Sequence, residues 1–272
     1  MNHIKSLFAQ KQRGILSVYF CAGHPQPDAT LDTLRALQAE GVDMVEIGIP
    51  FSDPLADGPV IQEASSKALR GGMSVKKLLG QMADVRQDIH IPLILMGYLN
   101  PIQHYGFDRF CREASACGID GLIIPDLPFE VYQREFRATA ERHGLSFVFL
   151  VTPETPESRI REIDAATDGF IYAVSSAAVT GAQASFSAAR QAYFSRLEQM
   201  KLRNPFLIGF GISNAATRQA ADAHAAGVIV GSRFVTLLEQ SPTPSDAVRA
   251  LKKALSESKV KGLNHPNKPR KP

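Results

Sequence analysis

The sequence lacks most features that mark secreted, membrane or metal-holding chains. Its 272 residues include only three cysteines, Cys21, Cys111 and Cys117. An odd number without metal-ligand spacing argues against a disulfide framework and suits a reducing compartment. The start, Met1-Asn2-His3-Ile4-Lys5, has no apolar segment of the kind that opens a secretion signal, and nowhere does an apolar run reach membrane-spanning length. A soluble, cytoplasmic protein is expected. The seven histidines, His3, His24, His90, His104, His143, His224 and His265, are scattered, and none forms a metal triad with nearby carboxylates. Acidic residues are absent from the last fourteen positions, which carry Lys259, Lys261, Lys268, Arg270 and Lys271. Removing those five from 30 basic residues leaves 25 against 27 acidic ones, so the formal charge of +3 belongs to the tail. A mildly acidic body gives no electrostatic reason to bind nucleic acid or membrane. The tail, residues 259–272, is expected to be disordered, and residues 1–258 to form one catalytic domain.

What is present is a cadence: a helix ending in small residues, then glycine, then a short apolar run. It recurs at Ala39-Glu40-Gly41-Val42-Asp43, Ala116-Cys117-Gly118-Ile119-Asp120 and Ala225-Ala226-Gly227-Val228-Ile229. Glycine suits the left-handed cap that ends a helix, and the apolar run suits a parallel strand buried on both faces. In the first such helix Leu31, Leu34 and Leu37 recur at helical spacing, with Asp28 as a candidate cap and Gly41 as the stop. Strands are predicted at 17–21, 44–49, 93–96, 122–124, 147–151, 170–174, 206–208 and 228–230. Eight strands alternating with helices favour an α/β fold of one closed (βα)8 TIM barrel with extra short helices, in which chemistry sits at the carboxyl ends of the strands.

Those ends hold the informative residues. The stretch Glu46-Ile47-Gly48-Ile49-Pro50-Phe51-Ser52-Asp53-Pro54-Leu55-Ala56-Asp57-Gly58-Pro59 puts a carboxylate inside an apolar strand. Glu46 shares side-chain parity with Met44 and Gly48, so it should face the barrel interior or its mouth. Burial there raises a carboxyl pKa, as proton transfer near neutrality requires. The alternative is a structural glutamate bonded to a neighbour. Pro50, Pro54 and Pro59 stiffen the loop that carries Asp53 and Asp57 back across the mouth, which would supply a second proton-handling group in a different environment; ordinary turn chemistry is the alternative. Glycines follow three successive strands, in Val179-Thr180-Gly181, Gly209-Phe210-Gly211 and Gly231-Ser232. In such barrels the last loops present backbone N–H groups to a phosphate. Between Ser175 and Ala188 nearly every residue is small, which suits a lid or a plain surface loop. No lysine stands at the carboxyl end of a predicted strand, so imine chemistry is disfavoured.

The motif from Glu46 to Gly58 resembles the signature of the tryptophan synthase α subunit family at every position. The resemblance runs from about Ile15 to about Leu238 and includes Tyr98-Leu99-Asn100-Pro101 and Pro125-Asp126-Leu127-Pro128. It implies retro-aldol cleavage of indole-3-glycerol phosphate to indole and D-glyceraldehyde 3-phosphate in L-tryptophan biosynthesis. It further implies Glu46 as acid/base and Asp57 as the stabiliser of positive charge at the indole N–H. By the same resemblance Tyr172, Phe210, Tyr19, Met96, Ile123, Pro125 and Leu150 surround the indole, while Thr180, Gly181, Gly211, Gly231 and Ser232 belong to the lid and phosphate side. No cofactor is implied in this subunit. Pyridoxal phosphate is expected on a β-subunit partner in an αββα heterotetramer, met through the Asp53 loop and residues 98–106. Cys21 and His24 stand where the family often has Thr and Asp, and Ser176 and Ala178 where its lid often has Arg and Gly. Two rival readings remain at this point: a phosphate-sugar isomerase using Glu46 next to a carbonyl, and a weakly catalytic activating partner.

Overall fold

The computed structural model describes residues 2–175 and 185–257. Helices and strands alternate as α1 (His3–Gln10), β1 (Ile15–Cys21), α2 (Thr30–Ala39), β2 (Met44–Gly48), α3 (Pro59–Arg70), α4 (Val75–Gln81), β3 (Leu93–Met96), α5 (Leu99–Tyr105), α6 (Phe107–Ala116), β4 (Gly121–Ile123) and α7 (Phe129–Val131). A π-helical turn over Tyr132–Phe136 leads into α8 (Arg137–Arg142), followed by β5 (Ser146–Phe147), β6 (Leu150–Val151), α9 (Glu157–Ala166) and β7 (Ile171–Val174). The chain ends with α10 (Ala188–Gln199), β8 (Phe206–Gly209), α11 (Ala215–Asp222), β9 (Gly227–Val230), α12 (Ser232–Gln240) and α13 (Pro244–Ser256).

All strand pairs are parallel, in the order β5-β4-β3-β2-β1-β9-β8-β7-β6. The two ends of that order are consecutive in the chain, with only Val148 and Phe149 between them. The Val148 N–H donates to Leu122 O at 3.0 Å, and the Tyr172 N–H donates to Phe149 O at 2.9 Å. The sheet therefore closes into a barrel of eight staves. The fifth stave, expected as one strand over 147–151, is split because its first half pairs with β4 and its second with β7. Nearly all strand residues are buried, as a parallel sheet covered by helices outside and side chains inside demands.

The returns follow the predicted cadence with two differences. Gly41 and Gly118 have φ of +73° and +81°, the left-handed conformation that ends α2 and α6. Gly227 instead opens β9, where a Cβ would stand 2.1 Å from Ile15 O, so its task is to let β9 approach β1. Asp28 does not cap α2: Ala29 holds that position without a side-chain bond, and Asp28 accepts from Gln81 Nε2 at 3.1 Å. The amino-terminal end of the barrel is closed by α1. Asn2 caps that helix by accepting from Ile4 N–H at 3.0 Å, and the fully buried Ile4 reaches Gly121 and Gly169 on the barrel floor.

Candidate active site

The register of β1 on β2 sets Tyr19 beside Glu46 and Cys21 beside Gly48. Gly48 is required there because a Cβ would meet the Tyr19 hydroxyl at 2.1 Å; Gly209 leaves the same room for Tyr172, whose hydroxyl would meet its Cβ at 2.4 Å. Two glycines thus let two phenol rings lie across the top of the barrel.

Glu46 is fully buried. Its Oε1 accepts from Ser17 Oγ at 2.9 Å, whereas its Oε2 has no partner among the described residues. Burial pushes its pKa up to about 8, with the Ser17 hydrogen bond pulling weakly the other way. Asp57, also buried, accepts from the Tyr98 hydroxyl at 2.9 Å, and burial raises its pKa to about 6 against that bond. Burial raises the pKa of Tyr172 well above its usual value, and the charges of Glu46 and Asp57 add to the rise, so both carboxyls lie within electrostatic reach of one phenol.

The loop between β2 and α3 is held at several points. The Phe51 N–H donates to Ser65 Oγ at 2.7 Å and Ser65 Oγ donates back to Phe51 O at 2.8 Å. Phe51 stacks on Tyr98 at 5.3 Å between centroids. The Ala56 N–H donates to the Tyr98 hydroxyl at 3.0 Å, and Gln62 Nε2 donates to Asp57 O at 2.9 Å. This rigid return brings Asp57 inward and leaves Asp53 exposed, so only one of the two loop aspartates joins Glu46.

A cavity of about 210 Å³ opens at this end of the barrel; Asp57 is among its lining residues and Glu46 is not. Of the sequence-predicted residues, Asp57, Tyr19, Met96, Tyr172, Phe210, Gly211, Gly231 and Ser232 line it. Ile123 on β4 and Leu150 on β6 are not among its lining residues. Thr180 and Gly181, with Ser176 and Ala178, lie outside the described residues, as does the tail 259–272. Phe210 has φ of +66°, a conformation uncommon for a bulky residue, and Gly211 follows at +76°. The Ser175 hydroxyl fixes that turn by donating to Phe210 O at 2.6 Å. Tyr172 and Phe210 meet edge-on at 6.1 Å, and both rings belong to residues that line the cavity.

Sequence reasoning missed Ser17 and Tyr98 as partners of the carboxyls. Ser17 carried a usable signal, a lone hydroxyl within the apolar run 15–21 at the parity of Tyr19. Ile61, Ile229 and Arg233, which also line the cavity, came from helix and strand positions that read as ordinary core or surface. Among the described residues no cluster of three or more His, Cys, Asp or Glu could hold a metal ion, and no helix is long and apolar enough to cross a membrane.

Comparison with known proteins points to one family. The family model described as tryptophan synthase alpha chain matches residues 6–264. The tryptophan synthase alpha chain of Bacteroides thetaiotaomicron is 58% identical over 255 residues, covering 94% of this chain and all of the relative. That of Flavobacterium psychrophilum is 49% identical, covering 90% and 96%. Among solved structures, the tryptophan synthase subunit alpha of Legionella pneumophila superposes with a TM-score of 0.82 at 33% identity, covering 94% of this chain and 97% of that one. A chain of the aminoacrylate-bound tryptophan synthase from M. tuberculosis gives 0.79 at 32% identity, covering 94% and 98%.

Proposed function

The chain belongs to the tryptophan synthase alpha chain family, and from that premise we propose that Glu46 and Asp57 divide the work of its reaction. That reaction is the lyase step that cleaves indole-3-glycerol phosphate to indole and D-glyceraldehyde 3-phosphate. The observation that carries the assignment is a pair of buried carboxyls, Asp57 in the cavity wall and Glu46 beside the Tyr19 and Tyr172 that line it, with pKa raised to about 8 for Glu46 and about 6 for Asp57. At neutral pH the first is mostly protonated and the second mostly ionised, the separation that acid and charge-stabilising roles need.

Glu46 gives its proton to the indole ring carbon that bears the glycerol side chain. The ring becomes an iminium cation, and the Asp57 carboxylate stabilises the positive N–H. The Glu46 carboxylate then takes the proton of the side-chain hydroxyl. The electrons of that O–H bond form the aldehyde carbonyl as the carbon–carbon bond breaks. Its electron pair returns to the ring and neutralises the iminium. Indole leaves, glyceraldehyde 3-phosphate is formed, and Glu46 is protonated again. Tyr19, Met96, Tyr172 and Phe210 supply the apolar slot that fits the ring. Gly211, Gly231 and Ser232 hold the phosphate, and the family resemblance assigns Thr180 and Gly181 to substrate binding. Ile123 and Leu150 stand outside the lining of this slot.

The subunit works without a cofactor of its own and passes indole to a β subunit that carries pyridoxal phosphate, in an αββα assembly in the cytoplasm. In support, Leu55 in the loop between β2 and α3 has 87% of its surface exposed, and Phe51 of the same loop lines a groove with Pro101 and Tyr105. The test is release of indole and glyceraldehyde 3-phosphate in equal amounts from indole-3-glycerol phosphate, by the purified chain alone and with the β subunit. Release that the β subunit accelerates is expected; none in either condition would overturn the assignment.

A further inference from the structure

The two helices that follow β8 and β9, α11 and α12, begin differently. Asn214 caps α11 in a reciprocal arrangement with Thr217. At α12 the cap position is Gly231, without a side-chain bond, and the N–H groups that turn back to Gly231 O are those of Phe234 and Val235, at 2.8 and 3.1 Å. The amides of Ser232 and Arg233 therefore have no protein acceptor among the described residues, at a helix end that attracts negative charge.

Arg233 stands in this first turn and is among the residues that line the cavity. It is the only cationic residue among those lining the cavity, and among the described residues its guanidinium makes no hydrogen bond or ion pair. Elsewhere arginines are committed to carboxylates: Arg86 to Asp120, Arg137 to Glu141 and Arg249 to Glu40 and Asp246. Among the described residues Asp57 is the only acid lining the same cavity, and the two side chains are not paired. The cavity thus carries a carboxylate on one part of its wall and an unmatched guanidinium on another.

We infer that Arg233 is a specificity-determining residue whose guanidinium contacts the substrate's phosphate, adding a side-chain charge pair to the backbone amides of α12. This rests on the reading of the cavity as the site for a phosphorylated indole. A guanidinium offers two parallel donors to phosphate oxygens and keeps its charge at every working pH. The phosphate does not react, so the contact is equally strong in ground and transition states and acts on KM rather than kcat. Because Arg233 is exposed, the contact is screened by salt.

Steady-state cleavage by wild type, Arg233→Ala and Arg233→Lys tests this. Arg233→Ala should raise KM roughly tenfold with kcat within about twofold, and Arg233→Lys should recover part of the loss. Raising NaCl from about 50 to about 300 mM should raise the wild-type KM and leave that of Arg233→Ala nearly flat. Affinity for indole, which has no phosphate, should be equal in all three. An unchanged KM in Arg233→Ala would overturn the inference. Calorimetric titration with glycerol 3-phosphate separates it from the functional reading, since it needs no turnover. Roughly tenfold weaker binding to Arg233→Ala supports the contact even if cleavage fails, and equal affinity sinks it even if cleavage succeeds.

Discussion

Two buried carboxylates at opposite ends of the barrel have received opposite treatment. Asp120, at the amino-terminal rim, is 5% exposed and saturated with donors. Its Oδ1 accepts from the His3 N–H at 2.9 Å and lies 2.8 Å from His3 Nδ1. Its Oδ2 accepts from the Leu93 N–H at 3.0 Å and from Arg86 at 2.5 Å. Glu46, inside β2, has one hydroxyl donor and an oxygen with none among the described residues. A carboxyl buried with its full set of donors ties α1, β3 and β4 together. One buried short of donors is held closer to its neutral form, and the rest of the fold offsets that cost. The pairing of a buried carboxyl therefore separates a structural role from a chemical one.

The sharpest way to break this contrast is Glu46→Gln. Cleavage should fall about a thousandfold or more while the fold persists, because the amide keeps the shape and cannot carry the proton. Stability should move the other way. A carboxyl whose pKa rises from 4.5 to about 8 on folding binds a proton more tightly in the native state, so wild-type stability declines as pH rises across that interval. Denaturant melts should show Glu46→Gln gaining on wild type between pH 5 and pH 9, by on the order of 3 kcal/mol. An equal loss of stability at both pH values would make Glu46 a structural residue like Asp120. Asp57→Asn comes next, with a loss of about a hundredfold in kcat/KM. The wild-type profile should be a bell, with an acid limb near 6 for ionised Asp57 and an alkaline limb near 8 for protonated Glu46. Asp57→Asn should abolish the acid limb alone; a limb that survives belongs to another group.

Much of this was legible before any coordinates. The helix–glycine–strand cadence depends on local backbone preferences and on burial of both sheet faces, and both are written in consecutive residues. Glu46 was visible because a charge in an apolar strand contradicts its surroundings, and Asp57 because three prolines frame its loop. The split of the fifth stave was not visible, since it depends on which neighbours Phe147 and Leu150 meet in the closed sheet. Asp53 and Asp57 also looked alike in sequence; what sorts them is the Tyr98 hydroxyl, which arrives from after β3 and binds only Asp57. Asp120 read as the first polar residue of a return, with no sign of the three segments that converge on it.

Smaller effects should follow from altering the donors. Ser17→Ala removes the one hydrogen bond that holds the Glu46 pKa down, so the alkaline limb should move above 8 with kcat/KM at neutral pH changed by less than about fivefold. Tyr98→Phe should likewise move the acid limb above 6. Asp120→Asn should move neither limb. It replaces an acceptor with a group that carries its own N–H donors, beside Arg86, His3 and Leu93, and so should cost roughly 2–4 kcal/mol of stability in urea denaturation. Its kcat/KM per folded molecule should match wild type. If that value fell as far as in Ser17→Ala, with a displaced limb, saturation by donors would not be what keeps a buried carboxylate out of the chemistry.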